Sequence, residues 1–188
     1  MPNWTYNNIL IKGEKKNLDK FMNDAIRNED GNLSLSSWLP IPETFEKYDT
    51  TNHPDGKGLE VGKRLRSWED DSPIVTEELI EEYKQATKEQ KEQYGVVGWY
   101  DYNVMTFGCK WDSEVVLEKN TDTEIVLSAE TPWSAPYNWL RTISKNYPEL
   151  VFHIHADFEE GFWEDLEFTD GLVAEKGFGE IVFDDEEE

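Results

Sequence analysis

The chain has 188 residues, 41 acidic side chains against 18 basic ones, a formal net charge of −23 and one cysteine. Such a surface repels phosphate, which weighs against direct nucleic-acid binding, and the lone Cys109 excludes an internal disulfide framework and fits a reducing compartment. A hydrophobic share of 37% with eight tryptophans excludes a disordered acidic chain, and the length suits one well-cored domain carrying an insertion.

In chain order, Trp4, Tyr6, Ile9, Leu10 and Ile11 before Gly13 predict a first strand closed by a turn. Asn17 reads as an N-cap. Leu18, Phe21, Met22, Ala25 and Ile26 then recur at helical spacing as far as Asp30-Gly31, predicting an amphipathic helix. Leu33, Leu35 and Trp38-Leu39 suggest a short extended stretch broken by Pro40 and Pro42. Residues 43–72, rich in Asp, Asn, Gly and charge, read as irregular. A polar helix from about Thr76 to Tyr94 follows, with Leu79, Tyr83 and Ala86 along one narrow stripe. Residues 40–97 are therefore expected to form an insertion over the main sheet.

Val115–Leu117 and Ile125–Leu127, separated by Asn120, Thr121 and Asp122, predict a hairpin. Ser134 is expected to cap a helix beginning with Ala135 and Pro136, with Trp139, Leu140 and Ile143 as its buried stripe before Pro148. From Leu150 to Asp157 the chain alternates: Val151, His153, His155 and Asp157 share one face, and Leu150, Phe152, Ile154 and Ala156 the other. Phe162–Phe168 and Gly179–Phe183 are expected to extend the sheet. The order predicts an α+β domain over residues 1–183, a ferredoxin-like split βαβ antiparallel sheet with a helical and irregular insertion and a C-terminal sheet extension, then an acidic tail over 184–188. In that topology Trp4, Trp111-Asp112, Thr131-Pro132-Trp133 and Glu159-Glu160-Gly161 converge at one edge of the sheet.

These segments also carry a family likeness. "MPNW" with Asn7 and Gly13, "LPIPE" at Leu39–Glu43, "YGVVGWYDYNVMTFGCKWD" at Tyr94–Asp112, "TPWSAP" from Thr131, "ISKNYPEL" from Ile143 and "EEG" from Glu159 together resemble the YubB-like family of phage and plasmid proteins. The likeness runs in order along nearly the whole chain. Phe107 and Cys109 depart from the Trp and Thr usual in that family. The resemblance implies a ferredoxin-like domain and a mobile-element setting in the cytoplasm of a bacterial host, and it implies no reaction, since fold alone does not assign one.

Two sets of residues are candidates for chemistry. At the predicted edge, Trp4, Trp99, Trp111 and Trp133 stand with Asn7, Lys110, Asp112 and Glu160, which suits either a binding surface or a plug closing the end of the sheet. His153, His155 and Asp157 share a strand face at the spacing of a donor set for a metal, yet only one other histidine, His53, exists to complete it, so no metal and no cofactor is expected. Pro2 as a free secondary amine and Cys109 beside Lys110 are the remaining catalytic candidates, and the thiol lacks the surrounding positive charge that activation needs. Lys57, Lys63, Arg64 and Arg66 form a small basic patch.

No phosphate loop, dinucleotide fingerprint or CxxC pair occurs, no signal-peptide pattern opens the chain, and no apolar run approaches about 18 residues. From Glu149 onward the chain holds fifteen acidic residues against one basic residue, Lys176. The expected function is a non-enzymatic accessory protein that binds a host or phage protein through its acidic surface, as a DNA mimic or anti-defence factor; the alternative is a small-ligand or enzymatic site at the aromatic edge. No membrane is expected as partner.

Overall fold

A computed structural model describes residues 3–66 and 69–181. Pro2, the end of the run to Phe183 and the acidic tail lie outside the described residues. The chain forms two compact units, Met1–Pro40 with Asn103–Glu188, and Ile41–Tyr102.

The first unit is a mixed helix-and-strand structure around one seven-stranded antiparallel sheet. Its strands are β1 (Trp4–Lys12), β2 (Leu33–Ser34), β3 (Glu114–Asn120), β4 (Glu124–Pro132), β5 (Val151–Phe158), β6 (Phe162–Thr169) and β7 (Leu172–Glu180). They lie in the order β2-β3-β4-β1-β5-β6-β7. β1 is central and pairs antiparallel on both sides, Ile9 facing Leu127 of β4 and Ile154 of β5. Alternation along β1 turns Thr5, Asn7, Ile9 and Ile11 inward and leaves Tyr6, Asn8 and Lys12 exposed. The inward face meets Ile125 and Leu127 of β4 and Phe152 and Ile154 of β5, all buried.

Helices α1 (Lys15–Asp24) and α5 (Tyr137–Asn146) add Leu18 and Phe21, and Trp139, Leu140 and Ile143, to the same buried set. The Trp38 indole stacks on Phe21 at 4.8 Å and meets Trp139 edge-on at 5.7 Å. Both indole N–H groups are satisfied inside the core, Trp38 donating to the Phe21 carbonyl and Trp139 to the Leu35 carbonyl, each at 2.9 Å.

Three elements differ in their bounds from the sequence-based expectation. The first helix is capped by Glu14, not Asn17, and ends at Asp24. Ala25 turns extended and the Ile26 amide donates to the Ser37 carbonyl at 2.8 Å, so a tertiary hydrogen bond overrides the apolar period and leaves Ile26 63% exposed. The second amphipathic helix begins at Tyr137, because Pro136 forces Ala135 away from helical geometry; Ser134 caps nothing and its hydroxyl bonds the Ala135 carbonyl. The last strand runs from Leu172 to Glu180, not from Gly179. Asp170 and Gly171, both at positive φ, make the two-residue turn that pairs Thr169 with Leu172, the geometry that an Asp-Gly pair favours.

The second unit holds α2 (Glu43–Lys47), α3 (Glu77–Tyr94) and the start of α4 (Trp99–Phe107). Thr76 caps α3 by accepting the Leu79 amide, and Gly95 ends it in the left-handed conformation. Its interior is aromatic, with Phe45 stacked on Tyr102 at 4.3 Å and edge-on to Tyr94 at 5.2 Å. Fully buried Gln90 ties it together: its amide oxygen accepts from the Thr50 hydroxyl at 2.6 Å and the Gly98 amide at 3.0 Å, and its nitrogen donates to the Thr44 carbonyl at 2.7 Å.

Replacing Trp139 by Ala removes a fully buried ring and one of the two donors to the Leu35 carbonyl, which keeps the Trp38 amide, so an unfolding free energy lower by about 3–5 kcal/mol is expected. Urea unfolding of the two proteins measures it; a loss below about 1 kcal/mol would contradict this packing.

Candidate functional site

The four segments expected at one edge do meet. The Trp133 amide donates to the Asn3 carbonyl at 2.8 Å and the Glu159 amide to the Trp4 carbonyl at 3.1 Å. The Glu159 carboxylate takes the Trp4 amide at 2.7 Å, and Asn3 donates its side-chain nitrogen to Glu160 at 2.7 Å. The Trp4 and Trp111 rings lie 6.2 Å apart. Lys110 extends its ammonium between two indoles, 4.7 Å from the Trp111 centroid and 4.8 Å from that of Trp133. Both rings are open to solvent, 38% and 48% exposed. Trp133 holds φ at 66°, the left-handed region that a bulky residue enters only under constraint, here the hydrogen bond from its N–H to the Asn3 carbonyl.

Two of the other expected members serve the fold itself. Asn7 is buried and braces the strand pair: its nitrogen donates to the carbonyls of Thr5 and Ala129 and to the Thr131 hydroxyl. Asp112 accepts the Ser36 amide at 2.9 Å and so serves the backbone. Trp99 belongs to the second unit, where its ring lies 5.9 Å from that of Tyr100. Cys109 is 2% exposed, and burial together with the charge of Asp112 pushes its thiol up to about 12, which keeps it protonated and inert at neutral pH. In the second unit Arg64 and Arg66 are paired with Asp70 and Glu69.

The sheet face opposite the helices forms a second candidate surface. The register aligns Glu130 of β4, Tyr6 of β1, Asp157 of β5 and Trp163 of β6 in one row, and Val116, Ser128, Asn8, His155 and Asp165 in the next. A shallow groove of about 420 Å³ runs across it, lined among others by Tyr6, Asn8, Glu114, Ser128, Glu130 and Asp157. Desolvation and the charges of Glu159 and Glu130 push the Tyr6 phenol up. Farther along, Trp163 lies against β7, where a Cβ at Gly177 or Gly179 would sit 3.0 Å or 2.8 Å from the indole.

His155 is held between two carboxylates, Nδ1 2.6 Å from Asp165 and Nε2 3.2 Å from Asp157. Two flanking carboxylates favour the imidazolium form, in which both ring nitrogens carry protons. Partial burial pulls its pKa down, but the Asp165 hydrogen bond and the Asp157 charge outweigh that, and the net shift is upward. In this state neither nitrogen has a lone pair for a metal. His153 faces Glu167 at 3.4 Å, and among the described residues no group of three His, Cys, Asp or Glu side chains is arranged to hold a metal ion.

The sequence-based reading missed the groove and Trp163. Alternation alone puts Tyr6 on the face opposite Asn7, but which carboxylates stand beside it depends on the register of four strands.

No family model matches the chain, and no curated protein matches it. Among solved structures, the crystal structure of a protein api92 from Yersinia pseudotuberculosis, which carries the family label DUF1281, has a TM-score of 0.50 and 9% identity, covering 95% of this chain and 99% of that one. At that identity the likeness is one of fold alone.

Because the folded pKa of His155 lies above its unfolded value, its contribution is full below about pH 6.5 and fades as pH rises through the folded value. His155→Gln should therefore lower stability near pH 5.5 by at most about 0.5 kcal/mol, given its solvent exposure, and by less near pH 9. Urea midpoints at both pH values measure this; an equal loss at both would contradict the protonated pairing.

Proposed function

We propose that this protein is a non-enzymatic accessory protein that holds a Lys- and Arg-rich segment of a protein partner on the open face of its sheet. The observation carrying this reading is the groove, which gathers Glu114, Glu130 and Asp157 from three strands around Tyr6 and contains no cationic lining residue. Neighbouring strands stand about 4.8 Å apart and same-face positions along a strand about 6.8 Å apart, so Glu114 and Glu130 on adjacent strands and Asp157 two strands beyond Glu130 form a row that an extended basic segment can match. A total charge of −23 steers such a partner in from a distance. The natural owner of that segment is a nucleic-acid-binding protein, whose phosphate-reading surface meets carboxylates here in place of phosphates. This is the DNA-mimic form of the proposal.

The setting we propose is the cytoplasm of a bacterial host of a phage or other mobile element, with membership of the YubB-like family. It rests on the ordered motifs from "MPNW" to "EEG". The buried free thiol is compatible with it, and among the described residues no helix is long and apolar enough to cross a membrane. The solved neighbour of similar fold carries only a family label and no activity.

The finer fold reading belongs to the same proposal. The chain runs β1, α1, β3, β4, α5, β5, and the four strands lie in the order β3-β4-β1-β5. This supports a split βαβ, ferredoxin-like core, extended by β2 on one side and by β6 and β7 on the other.

A triple change of Glu114, Glu130 and Asp157 to Gln, Gln and Asn removes three charges from the face. A control changing Glu77, Glu78 and Glu89 to Gln removes three from exposed positions of α3. Titrated with an arginine-rich peptide at about 50 mM salt, the face variant should bind about 5- to 10-fold more weakly than the wild type and the control should match it, with affinities falling as salt rises. Equal weakening in both variants would reduce the interaction to bulk charge and sink the proposal.

A further inference from the structure

We propose that the Trp111–Trp133 pair, with Trp4 beside it, is a binding site for an organic ammonium group, and that Lys110 occupies that site in the free protein. This goes beyond the docking of a basic segment on the open face and does not depend on it.

The geometry is that of a cation held by ring faces. The Lys110 ammonium lies 4.7 Å and 4.8 Å from two indole centroids, inside the roughly 6 Å over which the ring quadrupole attracts a cation. Among the described residues no carboxylate reaches it at ion-pair distance, which is true also of Lys12, Lys47, Lys91 and Lys145, but Lys110 alone lies over two rings, where Lys20 and Lys47 each lie over one. In a chain with 41 acidic residues, an ammonium that sits on indoles instead marks those indoles as its site.

The rings are held for such a role. Trp133 is held at φ 66° with its backbone N–H donating a hydrogen bond to the Asn3 carbonyl, a conformation that persists only because its surroundings enforce it. Trp111 follows Lys110 directly, and the Lys110 carbonyl is held by the Asn103 side chain at 3.1 Å. Glu159 and Glu160 are tied to the same edge through Trp4 and Asn3, so the field around the rings favours a positive ligand. None of these contacts requires the Lys110 side chain to stay where it is.

A primary ammonium is strongly hydrated and makes a poor tenant for aromatic faces. A methylated ammonium spreads its charge over apolar methyl groups, loses less on leaving water and competes better for the rings. The ligand class is therefore a quaternary or multiply methylated ammonium, carried by a free small molecule or by a trimethylated lysine of a protein. Lys110 acts as an internal competitor: while it occupies the rings, the apparent affinity for the ligand is reduced by the fraction of time the site is filled.

The test uses the whole chain as wild type, Lys110→Ala and Trp133→Gly. Glycine accepts the backbone conformation at 133, so the last variant removes the ring without straining the fold. Each is titrated with tetramethylammonium chloride against sodium chloride at equal ionic strength, while the indole N–H signals of Trp111 and Trp133 are followed by NMR. The expected result is saturable shifts of both signals with tetramethylammonium only, about 2- to 5-fold tighter binding in Lys110→Ala, and no Trp111 response in Trp133→Gly. Shifts that do not saturate, a Lys110→Ala affinity no better than wild type, or an unchanged Trp111 response in Trp133→Gly would each overturn the proposal. A trimethyl-lysine peptide titrated in parallel assigns the source: tighter binding than tetramethylammonium indicates a protein ligand, and equal binding a free small molecule.

Discussion

The first unit depends on β1 being paired on both sides. Once Ile9 and Ile11 face inward between β4 and β5, the period of two in a strand decides the rest. Everything in register with Ile9 must be apolar and covered by α1 and α5, and everything in register with Tyr6 and Asn8 must tolerate water. A slip of one residue would bury Glu130 and Asp157 and expose Leu127 and Ile154. The same pairing brings the ends of β1, β4 and β5 to one edge, so the tryptophan cluster and the acidic groove are both consequences of where β1 sits.

How much of this was legible follows from the range of the forces involved. The alternation from Leu150 to Asp157 could be read directly, because period two in a half-buried strand is a local signal, and the structure keeps each residue on its expected face. Helix α3 was legible from Thr76 and the charged run after it. The end of α1 was not, because the bond from Ile26 to Ser37 joins residues that no window compares. The last strand was placed too late because its interior, with Glu175, Lys176 and two glycines, has little strand character. Its true signal was the Asp170-Gly171 turn.

The candidate site divides along the same line. That four segments meet at an edge followed from the order of elements, whereas the roles within the edge did not. Asn7 and Asp112 looked like recognition groups and prove to satisfy backbone and side-chain partners of the fold. Trp111 and Trp133 suit a plug closing the sheet as well as a binding surface, and both are exposed. The spacing of His155 with His153 and Asp157 fits a metal donor set although no metal is expected; its two carboxylate neighbours come partly from β6, an element whose register the sequence does not state. A residue type and a spacing define what a side chain can do, and its neighbours across the sheet decide which of those things it does.

Among the described residues strand β7 pairs only with β6 and ends the sheet. It leaves Leu172 and Phe178, 75% and 60% exposed, beside an unpaired ladder of amides and carbonyls, which is the kind of margin on which another chain can add a strand. The acidity of the chain has a colloidal duty here, since two copies approaching margin to margin each carry 23 excess negative charges. Removing that repulsion, with acid or concentrated salt, turns the same strand from the end of a sheet into a template for aggregation.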